Sequence, residues 1–248
     1  MRIYNLKIER LPQAHLDIKK IPVKNKLPES VDLSLSPNMP PVWDQGSLGS
    51  CTAQALVAAF GFIHKPTFMG SRLFLYYNER MVEHDISNDS GASLSDGVKC
   101  LKKYGICPED QYPYVIDKFA KPPPATVYKS ALEHKAVSVK NITNSLASMQ
   151  NALASGFPFV IGISIFDQFE SKVVAKTGMV PLPNNLSKLL GGHAVLVVGY
   201  DNATSLFKVR NSWGTGWGIN GSGYFYLPYK YLLNPRLSTD MWVLTSAT

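Results

Sequence analysis

The sequence predicts an α+β protein with a helical first half and an antiparallel β second half. Three observations carry that expectation. Between Cys51 and Gly105 apolar residues recur at helical spacing. From His134 onward they gather in short β-branched or aromatic runs split by Gly, Pro and Asn. Only one helical stretch, NSLASMQNALASG (144–156), interrupts that second texture. With 248 residues, 45% of them hydrophobic, the chain can bury a substantial core as one large domain or two lobes.

Residues 1–44 carry LPQ, IPVKNKLP and SPNMPPV and read as an extended segment crossing a surface. Within it, residues 1–26 are set apart as an N-terminal arm, a short pro-segment, ahead of a domain spanning 27–248. From Cys51 to Lys65 apolar residues occupy nearly every helical face, which predicts a helix buried all round. SRLFLYYNERMVEH (71–84) is a second helix with an aromatic stripe, and SLSDGVKCLKKYG (93–105) is a third, stopped by Gly105. The strands expected are HKAVSVKN, PFVIGISI, HAVLVVGYD, LFKVRNSWG and GYFYLPY. Residues 45–130 should therefore be mainly helical, 131–229 mainly β, and 230–248 a C-terminal segment.

Composition narrows the function classes. Net charge is +7, from 25 basic and 18 acidic residues, but the basic residues are scattered in pairs such as Lys19-Lys20 and Lys102-Lys103. Scattered pairs predict a solvated surface and no nucleic-acid partner. No run approaches the about 20 apolar residues that span a membrane, so no membrane partner is expected. The start, MRIYNLKIERLPQAHLDIKK, lacks the apolar core of a signal peptide, which predicts an unexported chain. No histidine–cysteine cluster has metal-ligand spacing and no glycine-rich phosphate loop follows a strand, so no metal or cofactor is expected.

Three cysteines, at 51, 100 and 107, argue against a disulfide framework, and Cys100 and Cys107 are expected as free thiols. Cys51 differs in setting. It opens a helix, where unpaired N–H groups and the dipole favour the nucleophilic thiolate, and it follows the small-residue stretch QGSLGSC. A nucleophilic cysteine needs a base, and the base needs an orienting group. Of five histidines, His193 stands out in GGHAVLVVGYD, flanked by glycine and opening an apolar strand; His64, His84 and His134 lie in charged, exposed-looking surroundings. Asn211, in VRNSWGTGWG, ends a strand at a Gly/Trp turn. Taken singly, each also fits a bland reading: a small core residue, a core histidine, a turn asparagine.

Their joint occurrence, in this order and at this separation, resembles the papain-like cysteine peptidases, and most closely their compact bacterial and viral xylellain-like members. SRLFLYYNER, DSGASLSDGVKCLKKYGICPEDQYPY and GYFYLPYKYLLNP share the resemblance, which covers nearly all of 27–248. It implies a two-lobed fold, a helical lobe and a β-barrel-like lobe, with the active site in the cleft. It implies a thiol-dependent hydrolase, acting as a monomer on a peptide or protein substrate, preferably as an endopeptidase. Cys51 would attack the scissile carbonyl, His193 would pair with it and protonate the leaving amine, and Asn211 would orient the imidazole under Trp213. Gln45 and the Cys51 N–H would stabilise the oxyanion. Ser90, Gly91 and Ala92 would pair with an extended substrate like an added strand. Asp240 would lie near the floor of the pocket for the residue two before the cut. Rivals are an acyl transferase with the same residues and a catalytically silent binding module.

The sequence also departs from the family. Leu48 stands where most relatives carry a second cysteine, Thr52 replaces the usual aromatic residue, and Gly192 precedes the histidine in place of Asp or Asn. The N-terminal arm is too short for a folded prodomain, which suggests a tethered inhibitor lying across the cleft.

Overall fold

The computed structural model describes residues 2–8, 21, 24, 26–64 and 68–248. Lys65, His15 and the Lys19-Lys20 pair lie outside the described residues. A short strand, β1 (Ser30–Asp32), and a 3-10 turn at Leu33–Leu35 precede the helices, so the proline-rich approach joins the sheet well before Cys51.

The three expected helices are α1 (Cys51–Ile63), α2 (Arg72–Val82) and α3 (Leu94–Lys103). α1 is buried along its length apart from Ile63, as its unbroken apolar sequence requires. Ser71 and Ser93 cap α2 and α3 by accepting the N–H groups of Phe74 and Asp96. Past α3, Gly105 takes φ 72°, the left-handed conformation that ends the helix. α4 (Ala125–Ala131), after the KPPP run, was not foreseen.

The second half contains β2 (Ala136–Asn141), α5 (Leu146–Ala154), β3 (Phe159–Phe166), α6 (Lys172–Thr177), β4 (Leu189–Asp201), β5 (Leu206–Arg210), β6 (Tyr224–Pro228), α7 (Tyr229–Leu233) and β7 (Ser238–Ala247). All pairings between these strands are antiparallel, in the order β2-β7-β3-β4-β5-β6, with β1 also on β4. The barrel-like lobe expected from the resemblance is corrected to an open sheet: its end strands β2 and β6 do not pair with each other. α3 packs near β2, and Met179 bridges to Tyr226 of β6, so other elements cover both edges. The C-terminal segment is not an appendage either, since β7 lies inside the sheet between β2 and β3.

The sheet separates two cores, and β4 shows why its sequence is apolar throughout. Ala194, Leu196 and Val198 face the core shared with α1–α3, whereas Val195 and Val197 face the core on the other side. Both faces of β4 are buried, and His193 sits at the start of that buried run.

Candidate active site

Cys51 is the first residue of α1, and the backbone N–H of Ala194 in β4 points at its thiol. The cleft between the helical lobe and the sheet is thus closed at its base by the nucleophile candidate and the residue after His193. Cys51, His193, Asn211 and Gln45 are all buried, at 1% exposure or less.

A chain of hydrogen bonds fixes their orientation. Asn211 Oδ1 accepts the Ser212 backbone N–H at 2.8 Å and lies 2.9 Å from His193 Nε2. An oxygen already accepting one N–H pairs only with another donor, so Nε2 carries the imidazole proton. Nδ1 is then the bare nitrogen, and it has no hydrogen-bond partner. The Trp213 ring lies over the imidazole, with centroids 5.4 Å apart, and keeps water from this pair. Gln45 Oε1 accepts the Ser212 hydroxyl at 2.6 Å, and Gln45 Nε2 donates to the Leu48 carbonyl at 3.0 Å. An amide nitrogen has two protons, so one N–H remains unassigned beside the helix N-terminus. Leu48, where relatives carry a cysteine, is buried in the helical-lobe core.

Sequence reasoning did not single out three supports. Ser212 anchors both Gln45 and Asn211. Asp89 accepts the Gly49 N–H with both oxygens at 3.0 Å and also accepts a hydrogen bond from the Tyr76 hydroxyl, while that hydroxyl accepts the Gly91 N–H at 3.2 Å. The loop before Cys51 is thereby tied to Ser90–Gly91–Ala92. Behind Cys51, Thr52 donates to buried Glu79 at 2.7 Å, which explains how a small hydroxyl residue fills this place. Burial raises the Glu79 carboxyl well above the usual range. A hydrophilic residue inside an apolar helical pattern was the available signal for Glu79; nothing local marks Ser212 or Asp89.

Residues 2–8 lie across this cleft. The Leu6 N–H donates to the Gly192 carbonyl at 3.2 Å and the Lys7 N–H to the Ala92 carbonyl at 3.0 Å, so the arm bridges the two lobes. Asn5 side-chain nitrogen donates to the Asp89 carbonyl at 2.9 Å. Tyr4 meets His193 and Trp213 edge-on, at 6.1 and 5.9 Å between centroids. Leu6 is buried over Gly162 and Gly192, where a Cβ on Gly162 would strike its methyl group. Gly192 in place of Asp or Asn leaves that room.

Burial pushes the Cys51 thiol up to about 12, overriding the N–H groups of Ala194, Thr52 and Cys51 that favour the thiolate. Burial pushes His193 down to about 4; the bond to Asn211 opposes this and the Arg2 charge reinforces it. Both shifts favour the uncharged forms of the thiol and the imidazole. Asp240 takes φ 59° in β7, and its carboxylate accepts the Trp242 indole N–H at 2.6 Å. Its neighbour Thr239 borders the Leu6 seat.

Cys100 and Cys107 are buried free thiols. His64 and His134, expected in exposed surroundings, are half-buried ring neighbours, with nitrogens 3.3 Å apart and Phe68 against both. Among the described residues no group of three or more His, Cys, Asp or Glu could hold a metal ion, and no helix is long and apolar enough to cross a membrane.

Comparison with known proteins identifies the family. The model of the papain family of cysteine proteases matches residues 27–232. A peptidase C1-like protein of Acanthamoeba polyphaga mimivirus is 42% identical over 218 residues, covering 83% of this chain and 70% of its own. Peptidase 1 of Dermatophagoides pteronyssinus is 28% identical over 211 residues, covering 82% of this chain and 62% of its own. Among solved structures, xylellain, a cysteine protease from Xylella fastidiosa, superposes with a TM-score of 0.89 at 35% identity, covering 98% of this chain and 96% of its own. With the family model matched over the greater part of its length, the chain belongs to the papain family of cysteine proteases and is a thiol-dependent hydrolase.

Proposed function

We propose that Cys51 cleaves peptide bonds through a thioester, and that residues 2–8 hold the enzyme latent by lying in the substrate path. The observation that carries this is the imidazole of His193: Nε2 is engaged by Asn211, while Nδ1 is bare, buried and adjacent in the chain to the residue whose N–H meets the thiol. Once the arm leaves, Nδ1 takes the thiol proton and the thiolate attacks the carbonyl carbon. The oxyanion that forms receives the free Gln45 N–H and the Cys51 N–H. Collapse breaks the C–N bond, with the His193 proton going to the departing amine. Water then adds to the thioester, giving its proton to His193, and the acid departs as the thiol is restored.

The arm extends to both sides of Cys51, with Arg2 at one end and Lys7 at the other, so a substrate following it would pass through the cleft. That supports endopeptidase action. The family match begins at residue 27, which supports a peptidase domain from there onward, completed by β7.

Intact-mass measurement after treatment with an epoxysuccinyl thiol-peptidase inhibitor tests both parts, on the full chain and on a chain lacking residues 2–8. One adduct at Cys51, faster by tenfold or more after truncation, is the expected result. Equal rates in the two chains would remove the inhibitory role. No adduct in either folded chain would leave a catalytically silent module. Adding an amine acceptor during peptide turnover separates hydrolysis from acyl transfer by the product formed.

A further inference from the structure

The cations of the arm occupy two acidic seats, one at each end of the cleft. At one end, Arg2 Nη1 lies 2.7 Å from Asp44 Oδ1, its guanidinium stacks 5.1 Å over the Trp213 ring, and Nη2 donates to the Trp213 carbonyl at 3.4 Å. Beside it, Glu170 accepts the Tyr4 hydroxyl at 2.5 Å. Arg2, Asp44, Glu170 and Trp213 line an open cavity of about 560 Å³ that remains beside the guanidinium. At the other end, Lys7 Nζ pairs with Glu83 and donates to the Ser90 hydroxyl at 3.3 Å.

Both carboxylates are held by the fold independently of the arm. Asp44 accepts the Gly46 N–H at 2.8 Å, and Glu83 accepts the Ser93 N–H at 2.9 Å. Neither has a second ion-pair partner among the described residues, so departure of the arm leaves two positioned, unpaired negative charges. The chain as a whole carries +7, so this acidic lining runs against its general sign. Asp44 directly precedes Gln45, and Glu83 bonds the segment that leads into α3, which places both along the path of a bound peptide.

We propose that the cleft is selective for peptides bearing basic side chains on both sides of the scissile bond, read by Asp44 with Trp213 at one end and by Glu83 at the other. This rests on the reading that residues 2–8 lie along the substrate path. Each seat is partly open to water, so each contributes modestly, and the cation–π contact adds to the Asp44 side. Together they predict a preference of about tenfold.

The test uses the full chain carrying Arg2→Ala and Lys7→Ala, which empties both seats, and internally quenched peptides with Arg, Ala or Glu placed in turn at each position flanking the cut. Arg peptides are expected to exceed Ala peptides in kcat/KM by about tenfold, Glu peptides to fall below them, and raised salt to compress the series. Adding Asp44→Asn and Glu83→Gln should bring Arg and Ala peptides within about twofold. The salt series checks the same charges without those variants, should they fail to fold. Equal rates for all three peptides, with Cys51 still labelled, would overturn the selectivity and leave the peptidase reading standing; the charges would then serve only to hold the arm. No turnover and no labelling, here and in the chain lacking residues 2–8, would overturn both.

Discussion

Ser212 is the residue on which the geometry of the site converges, because its hydroxyl sets Gln45 and its N–H sets Asn211. Gln45→Ala should cost roughly 10²–10³ in kcat, the loss typical of one oxyanion donor. Ser212→Ala leaves the amide present but free to rotate, and should lower kcat by about tenfold with KM little changed, measured in the chain lacking residues 2–8. Glu79 gives a prediction in stability. Its carboxyl is raised in the folded state by burial, so it folds protonated and ionises readily only when unfolded. Its contribution is complete below the unfolded value of about 4.3 and is lost as pH rises toward the folded value, by up to about 1.4 kcal/mol per pH unit. Glu79→Gln keeps an acceptor for Thr52 and cannot ionise. Urea unfolding of the two chains should therefore diverge between pH 4 and 8 in favour of the variant; parallel curves would show that Glu79 folds ionised.

Among the elements, the turn that ends α3 is tightly constrained where it packs on the segment between α4 and β2. Gly105 has φ 72°, and a Cβ there would strike the backbone carbonyls of Ala131 and His134, both of which accept the Ile106 N–H. Backbone cannot yield as a side-chain tip can. Gly105→Ala should cost about 2–3 kcal/mol and lower Tm by roughly 5–10 °C in a chain of this size. The helices α1–α3 were legible because each repeats one pattern over at least ten residues, with serine caps on α2 and α3. β7 was not. Asp240 interrupts it at φ 59°, and its register against β3 slips there, with Trp242 opposite Val160 but Thr239 opposite Gly162. Such a bulge breaks the period-two pattern by which a strand is read. α4, α6 and α7 are seven residues or fewer, too short for periodicity to show.

Over the whole molecule, the proposed latency would have the arm turn a reactive pair into an inert one by excluding water. Removing it should let His193 rise from about 4 and Cys51 fall from about 12 until the proton moves between them. Thiolate absorbance in the ultraviolet should be absent from the full chain at pH 7, appear on deleting residues 2–8, and vanish again with His193→Ala. The ion pairs holding the arm are partly exposed: Arg2 with Asp44 at 31% and 51%, Lys7 with Glu83 at 38% and 11%. Salt screens such pairs, so turnover of a neutral peptide by the full chain should rise severalfold between about 0.05 and 0.5 M ionic strength. A flat response would assign arm binding to its uncharged contacts, the seats of Leu6 and Tyr4 and the hydrogen bonds of Asn5, Leu6 and Lys7.

By itself, the sequence determined the α+β layout and the three long helices, and it singled out Gln45, Cys51, His193 and Asn211 through a joint occurrence that resembles one family. Each of these is written in a local pattern: an apolar period, a glycine stop, or a short stretch such as QGSLGSC or VRNSWGTGWG. Tertiary structure alone decided the open sheet, the place of β7 within it, the anchoring by Ser212 and Asp89, and the protonation states of Cys51 and His193. Those depend on groups far apart in the chain: Ser212 lies 167 residues from Gln45, and Asp89 lies 40 from Gly49. The arm could be suspected from its prolines, but its seat could not be read, because Leu6 fits only where two strands each present a glycine. Burial acts through whichever residues the fold brings together, and no local pattern records that meeting.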